Sequence, residues 1–142
     1  YGVLHSTGVW IDDEGAEHDR TIVALGLVES PAESVNGVVG WVDVDELTDL
    51  DRRERHYDRV DVVAATTVRT DHTIDGSIMV YIPKPESIEH YERARDAGAA
   101  AVDQHYWDRV DDAFSTLGPD RHARYHATTP APDVPVVPLG RR

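Results

Sequence analysis

The chain has 142 residues, enough for one domain with a core of its own, and its 40% hydrophobic content indicates a globular protein. Its formal charge of −13 disfavours nucleic acid and anionic membrane surfaces as partners, and the absence of cysteine excludes disulfides and thiolate chemistry. No apolar run has the length of a membrane span and no signal-peptide pattern opens the chain, so a cytoplasmic location is expected.

The first half of the chain is rich in predicted strands. After an opening loop "YGVL", the polar residues 9–20 indicate a second loop. Asp45 is the expected N-cap of a helix that runs through Glu54 or Arg55. β-branched runs predict strands at residues 21–28, 35–44, 57–70 and 77–83.

The second half is predicted to be helical. One helix starts at Glu86 or Ser87 and ends at Gly98, and a second ends at Gly118. The apolar stripe of the second helix is predicted to comprise Val102, Tyr106, Val110, Phe114 and Leu117. The Pro-rich residues 128–142 are expected to form an extended tail beside a domain of residues 1–127. This order predicts an α+β fold, namely a small mixed or antiparallel β-barrel with flanking helices.

Glu54 is the strongest single candidate for a catalytic group. At about 100° per residue, Leu47, Leu50 and Glu54 share one face of the predicted helix. A carboxylate placed among apolar groups can be tuned to accept and return a proton. The alternative is a helix-end glutamate paired with Arg52, Arg53 or Arg55.

Other chemistry-bearing residues give weaker patterns. His122 and His126 have the spacing of a helical metal pair, but no third ligand is obvious, so neither a metal nor a cofactor is predicted. No serine lies in a nucleophile elbow. Tyr81, Tyr91 and Tyr106 are expected to be core aromatic residues whose hydroxyl groups are satisfied.

Several stretches, taken in order, resemble the γ-glutamylcyclotransferase-like family. "YGVL" is similar to the Tyr-Gly loop of that family, and "VNGVVGWVDVDELTDLDRRERHYDRVDV" to its central strand, its helix ending in "LDxxE", and its Tyr-Arg-Val strand. "SIMVYIPKP" and "HYERARDAGAAAVDQHYWDRV" resemble its later strand and two helices.

The resemblance implies an enzyme that cleaves a γ-glutamyl amide by attack of the substrate's own α-amino group, which gives 5-oxoproline and an amine or amino acid. Glu54, the last residue of "LDxxE", would be the general acid/base. The substrate would be bound by Tyr1, Gly2, Val3, Leu4, Tyr57 and Tyr81. The expected partner is this small molecule, with a homodimer left open. The alternative is a non-catalytic domain of the same fold that binds a small ligand or another protein.

Overall fold

The computed structural model describes residues 2–69 and 75–140, and for residues 2–6 it describes the backbone only. These residues contain two separate sheets and four helices. The strands are β1 (Gly2–Ile11), β2 (Glu17–Ala24), β3 (Tyr57–Asp61), β4 (Met79–Pro83), β5 (Ala100–Asp103) and β6 (Val136–Val137). The helices are α1 (Val44–Arg53), α2 (Pro85–Asp96), α3 (Gln104–Thr116) and α4 (Pro119–Thr128). The larger sheet has the order β1-β2-β5-β6, and β3 pairs with β4 alone.

The core lies where β2 and β5 run parallel at the centre of the larger sheet. Val23 pairs with Val102 there, and their side chains are 0% and 1% exposed. Tyr91 and Ala94 of α2 cover this pair, and Val134 completes the buried cluster. Such a parallel pair needs a long crossover, which the residues between β2 and β5 supply.

The predicted loop at residues 9–20 is wrong, because β1 and β2 form an antiparallel hairpin there. Its turn is built by Asp12, whose Oδ1 accepts hydrogen bonds from the backbone N–H groups of Glu14 (3.0 Å) and Ala16 (2.8 Å). Across the strands, the Trp10 ring stacks on His18 with 5.1 Å between ring centroids. Residues 17–20 are all polar, so this part of β2 lacks the alternation of apolar and polar residues that usually indicates a strand.

The segment 35–44 is also different from its prediction, since no strand forms there before α1 begins. Val38 and Trp41 are 74% and 84% exposed, so no neighbouring strand buries this segment. β-branched residues favour a strand mainly where such burial is available. The strand predicted at 57–70 is shorter and ends at Asp61, before a 3-10 turn at Val63–Ala65.

Helix boundaries follow local capping chemistry. Asp43, rather than Asp45, caps α1: its Oδ1 accepts hydrogen bonds from the N–H groups of Asp45 and Glu46 at 2.9 and 2.8 Å. Val102, predicted within the second helix, lies in β5 instead. A further helix, α4, begins directly after the predicted end of the second helix at Gly118, because Pro119 favours the first turn of a helix.

The Pro-rich segment packs against the domain. Val134 is buried, Val102 N–H donates to the carbonyl of Pro135 (2.9 Å), and β6 follows as an edge strand. Farther on, Val9 and Gly140 exchange two backbone hydrogen bonds of 3.0 and 2.8 Å, which brings the segment back to β1.

The α+β class is confirmed, but the predicted barrel is not. Among the described residues neither sheet is closed, and the edge of β1 meets the returning chain at the single Val9–Gly140 bridge. The segment 35–44, which was expected to supply a barrel strand, lies outside both sheets.

Gly8 lies where β1, β2 and the returning chain meet, and we expect Gly8→Val to destabilise the fold. A Cβ atom at Gly8 would be 3.3 Å from both Ile22 Cδ1 and Leu139 Cβ. Overpacking of this kind costs about 1–3 kcal/mol, which urea denaturation would measure as a lower free energy of unfolding. Gly37→Val is the matched control, because a Cβ atom there would have no atom of the described residues within 4 Å apart from its chain neighbours. Equal losses in the two variants would contradict this packing.

A pH dependence is expected from Asp133, which accepts a hydrogen bond from the Tyr91 hydroxyl. This bond lowers the pKa of Asp133 below 3.8, so the folded state gains stability above that pH and loses it as the pH falls through the lower pKa of the folded protein. Asp133→Asn should therefore lower Tm near neutrality, and the difference from the parent should shrink in acid. Asp13→Asn, at an exposed turn position, serves as the control. A difference that persists unchanged in acid would refute this assignment.

Candidate functional site

Glu54 lies at the C-terminal cap of α1, on the predicted stripe. Its N–H donates to the carbonyl of Leu50 (2.8 Å), so the helical path extends to this residue. From Val44 to Glu54, the half-buried residues are Leu47, Leu50 and Glu54, while the others are exposed. These three residues therefore share the less exposed face of the helix, as helical spacing predicted, but none of them is buried in the core.

An ion pair joins Glu54 to Arg53, as the alternative interpretation of the sequence expected. Arg53 Nε lies 2.8 Å from Glu54 Oε1, with the arginine side chain 71% exposed and that of Glu54 26% exposed. Solvent-exposed pairs of this kind contribute about 0–1 kcal/mol. Arg52 pairs with Asp49 instead.

Tyr57 is held next to Glu54 by the chain between them. Tyr57 N–H donates to the Glu54 carbonyl (2.8 Å), and the intervening His56 carbonyl accepts hydrogen bonds from Lys84 N–H and the Ser87 hydroxyl, each 3.1 Å long. Burial, followed by the negative charge of Glu54, raises the pKa of Tyr57 above 10.0. Tyr57 therefore stays protonated near neutrality and can donate a hydrogen bond.

Tyr106 of α3 packs against the core, as the sequence predicted. Its hydroxyl oxygen accepts a hydrogen bond from Leu25 N–H (3.1 Å), so the hydroxyl is satisfied as expected. The smallest of the three causes that raise the pKa of Tyr57 is the charge of Tyr106. Leu25 directly follows β2, whose last residue Ala24 pairs with Gly2.

The predicted substrate loop is a strand. Gly2, Val3 and Leu4 belong to β1, in which Gly2 pairs with Ala24 and Val3 with Val23. Tyr1 lies outside the described residues. Because β1 is the edge of its sheet, it presents backbone groups on the side away from β2.

Tyr81 takes part in a different polar group. Its hydroxyl donates to Asp51 Oδ1 (2.7 Å), and Arg59 binds the other oxygen of the same carboxylate at 2.9 Å. Burial and the Asp51 carboxylate raise the pKa of Tyr81. These contacts tie α1 to the β3–β4 pair and so help position Glu54 at the end of the helix.

A second cluster lies between α3 and α4. Asp111 Oδ1 is 2.9 Å from the Nε2 atoms of both His122 and His126, and those two nitrogen atoms are 3.0 Å apart. Hydrogen bonding to His122 lowers the pKa of Asp111. The histidine pair was visible in the sequence, but Asp111 was missed because it lies on the preceding helix, which only tertiary packing brings close.

No family model, curated protein or solved structure matches this chain. Within residues 2–69 and 75–140, the helices are too short and too polar for any of them to cross a bilayer.

The proximity of Glu54 and Tyr57 can be tested without an activity assay. We expect Glu54→Gln to lower the pKa of Tyr57 by removing a neighbouring negative charge, while burial keeps it above 10.0. NMR titration of ring-labelled tyrosine, with the signal assigned through Tyr57→Phe, would measure the change. Asp45→Asn, at the other end of α1, should leave the pKa of Tyr57 unaltered. If Glu54→Gln also left this pKa unaltered, the proximity of Glu54 and Tyr57 would be contradicted.

Proposed function

We propose that this chain is a γ-glutamylcyclotransferase-like enzyme in which Glu54 relays the proton during cyclisation of a γ-glutamyl amide. The observation that carries the proposal is the half-buried Glu54 carboxylate beside Tyr57, with Tyr106 reaching the strand end next to Gly2. The resemblance along the chain supports the same conclusion, and so do the helix that ends at Glu54 and the strand that begins at Tyr57.

The reaction requires one proton relay. The α-amino nitrogen forms a bond with the γ-carbonyl carbon, and the bond from that carbon to the leaving nitrogen breaks. Glu54 accepts a proton from the attacking amine and returns it to the departing amine, so that charge and atoms balance. Because nucleophile and electrophile belong to one molecule, holding the substrate folded removes much of the barrier.

The developing oxyanion needs hydrogen-bond donors. Tyr57 is a protonated donor next to Glu54, and β1 is an edge strand with backbone N–H groups on its outer side. In this proposal the backbone N–H donors come from the edge of a strand and not from the loop that the Tyr-Gly motif predicts. The substrate would lie beside Glu54 and Tyr57, at the C-terminal end of α1.

The Arg53–Glu54 ion pair favours a second candidate, a non-catalytic domain that binds a small ligand. In that case Arg53 holds the carboxylate permanently, and Glu54 has a structural role. In the catalytic case the exposed guanidinium occupies only Oε1, while proton transfer needs a single oxygen and can use Oε2.

The decisive experiment is turnover of a panel of γ-glutamyl amines and γ-glutamyl dipeptides, with 5-oxoproline detected by mass spectrometry. Loss of a general acid/base costs about 10²–10⁴ in rate, so Glu54→Gln should be nearly inactive on any substrate that the parent cleaves. Arg53→Gln and Asp45→Asn should retain activity, because neither group relays the proton.

Two outcomes would overturn the catalytic proposal. The first is turnover that survives Glu54→Gln. The second is the absence of 5-oxoproline from the whole panel while a panel compound still raises Tm, which is the result that the non-catalytic candidate predicts.

A further inference from the structure

In the cluster between α3 and α4, one ligand atom from each of three residues lies at the corner of an almost equilateral triangle. Asp111 Oδ1, His122 Nε2 and His126 Nε2 are separated by 2.9, 2.9 and 3.0 Å. All three belong to residue types that bind metal ions, and two of them come from one helix at i, i+4 spacing.

Hydrogen bonding alone does not satisfy this triangle. Asp111 Oδ1 can accept hydrogen bonds from both histidines only if both Nε2 atoms carry a proton. In that case the short contact between the two Nε2 atoms brings two N–H donors together, which is unfavourable. If one Nε2 loses its proton, its lone pair faces the carboxylate oxygen instead. A cation placed over the triangle resolves this conflict, because the three lone pairs can then point to one centre.

We propose that Asp111, His122 and His126 bind a divalent transition-metal ion. Imidazole nitrogen binds such ions at about 2.0–2.1 Å, and two ligand atoms at that distance and about 3 Å apart subtend about 90° at the metal. The triangle is therefore one face of an octahedron, with the two-histidine, one-carboxylate donor set that suits Fe²⁺, Co²⁺ or Ni²⁺. The donors are too rich in nitrogen for Mg²⁺, which prefers oxygen ligands.

The surroundings of the triangle favour a cation with open coordination positions. Asp111 and His126 line a surface cleft of about 590 Å³ together with Gln104, Trp107, Asp108 and Asp112. The additional carboxylates make the cleft electronegative and provide oxygen atoms for a second shell around metal-bound water.

Packing between the helices holds the ligands in place. Phe114 of α3 stacks on Tyr125 of α4 with 4.2 Å between centroids and 7° between the planes. Asp111 lies three residues before Phe114 and His122 three residues before Tyr125, so each ligand shares a helix face with a stacked ring. The site is thereby built on two rigid elements, and a bound ion would cross-link them.

The test uses the full chain without a histidine tag, treated with chelator and then titrated with Co²⁺ or Ni²⁺. An ion at a hundredfold excess over its Kd should raise Tm by about 8 °C, and bound Co²⁺ should give a visible d–d absorption. His126→Ala is the principal variant, because its side chain is 57% exposed and the fold should tolerate the loss. We expect at least tenfold weaker binding in this variant and in Asp111→Asn.

His105→Ala is the matched control, since His105 is an exposed histidine of α3 outside the cluster. It should bind Co²⁺ like the parent, as should Glu54→Gln, because the metal site does not depend on the proposed catalytic group. The inference is overturned if Co²⁺ leaves Tm and the absorption unchanged. It is equally overturned if His126→Ala and Asp111→Asn bind as tightly as the parent, or if Mg²⁺ binds as well as Co²⁺.

Discussion

The parallel pairing of β2 with β5 is the constraint on which the rest of the molecule depends. It joins Thr21–Val23 to Ala100–Val102, and its central side chains are shielded from water. The hairpin strand β1 extends this pair on one side and β6 on the other. Because Leu25 follows β2 and α3 follows β5, the same pairing brings Leu25 and Tyr106 together.

The helix α3 makes tertiary contacts on two sides. Tyr106 in its first half contacts Leu25, and Asp111, five residues later, contacts α4. Five residues correspond to a rotation of about 140°, so the two side chains leave the helix on different sides. A change in the packing of α3 would therefore reach the contact with Leu25 and the histidine cluster together, although the two share no residue.

Local patterns predicted the parts of the structure that local forces determine. The Leu47–Leu50–Glu54 stripe followed from helical spacing alone, and the structure has it. The hairpin around Asp12 was missed because residues 17–20 are polar on both faces of the strand, and the strand predicted at 35–44 was wrong because no partner strand pairs with it. Asp111 was missed for a related reason: its neighbours His122 and His126 lie on another helix, and only tertiary packing brings them close. Local sequence patterns carry no information about such contacts.

The return of the chain to β1 has a consequence for how this protein folds during synthesis. Val9 cannot form its bridge to Gly140, and Val102 cannot donate to Pro135, until residues 135–140 have left the ribosome. The β1–β2 hairpin can form from residues that are close in sequence. The side of β1 away from β2 then stays unpaired while more than a hundred further residues are added. Contacts of such high sequence separation slow folding, and an exposed strand edge invites association with other chains. The Pro-rich segment thus pairs with the β1 edge at one point, Val9, and does so only late in synthesis.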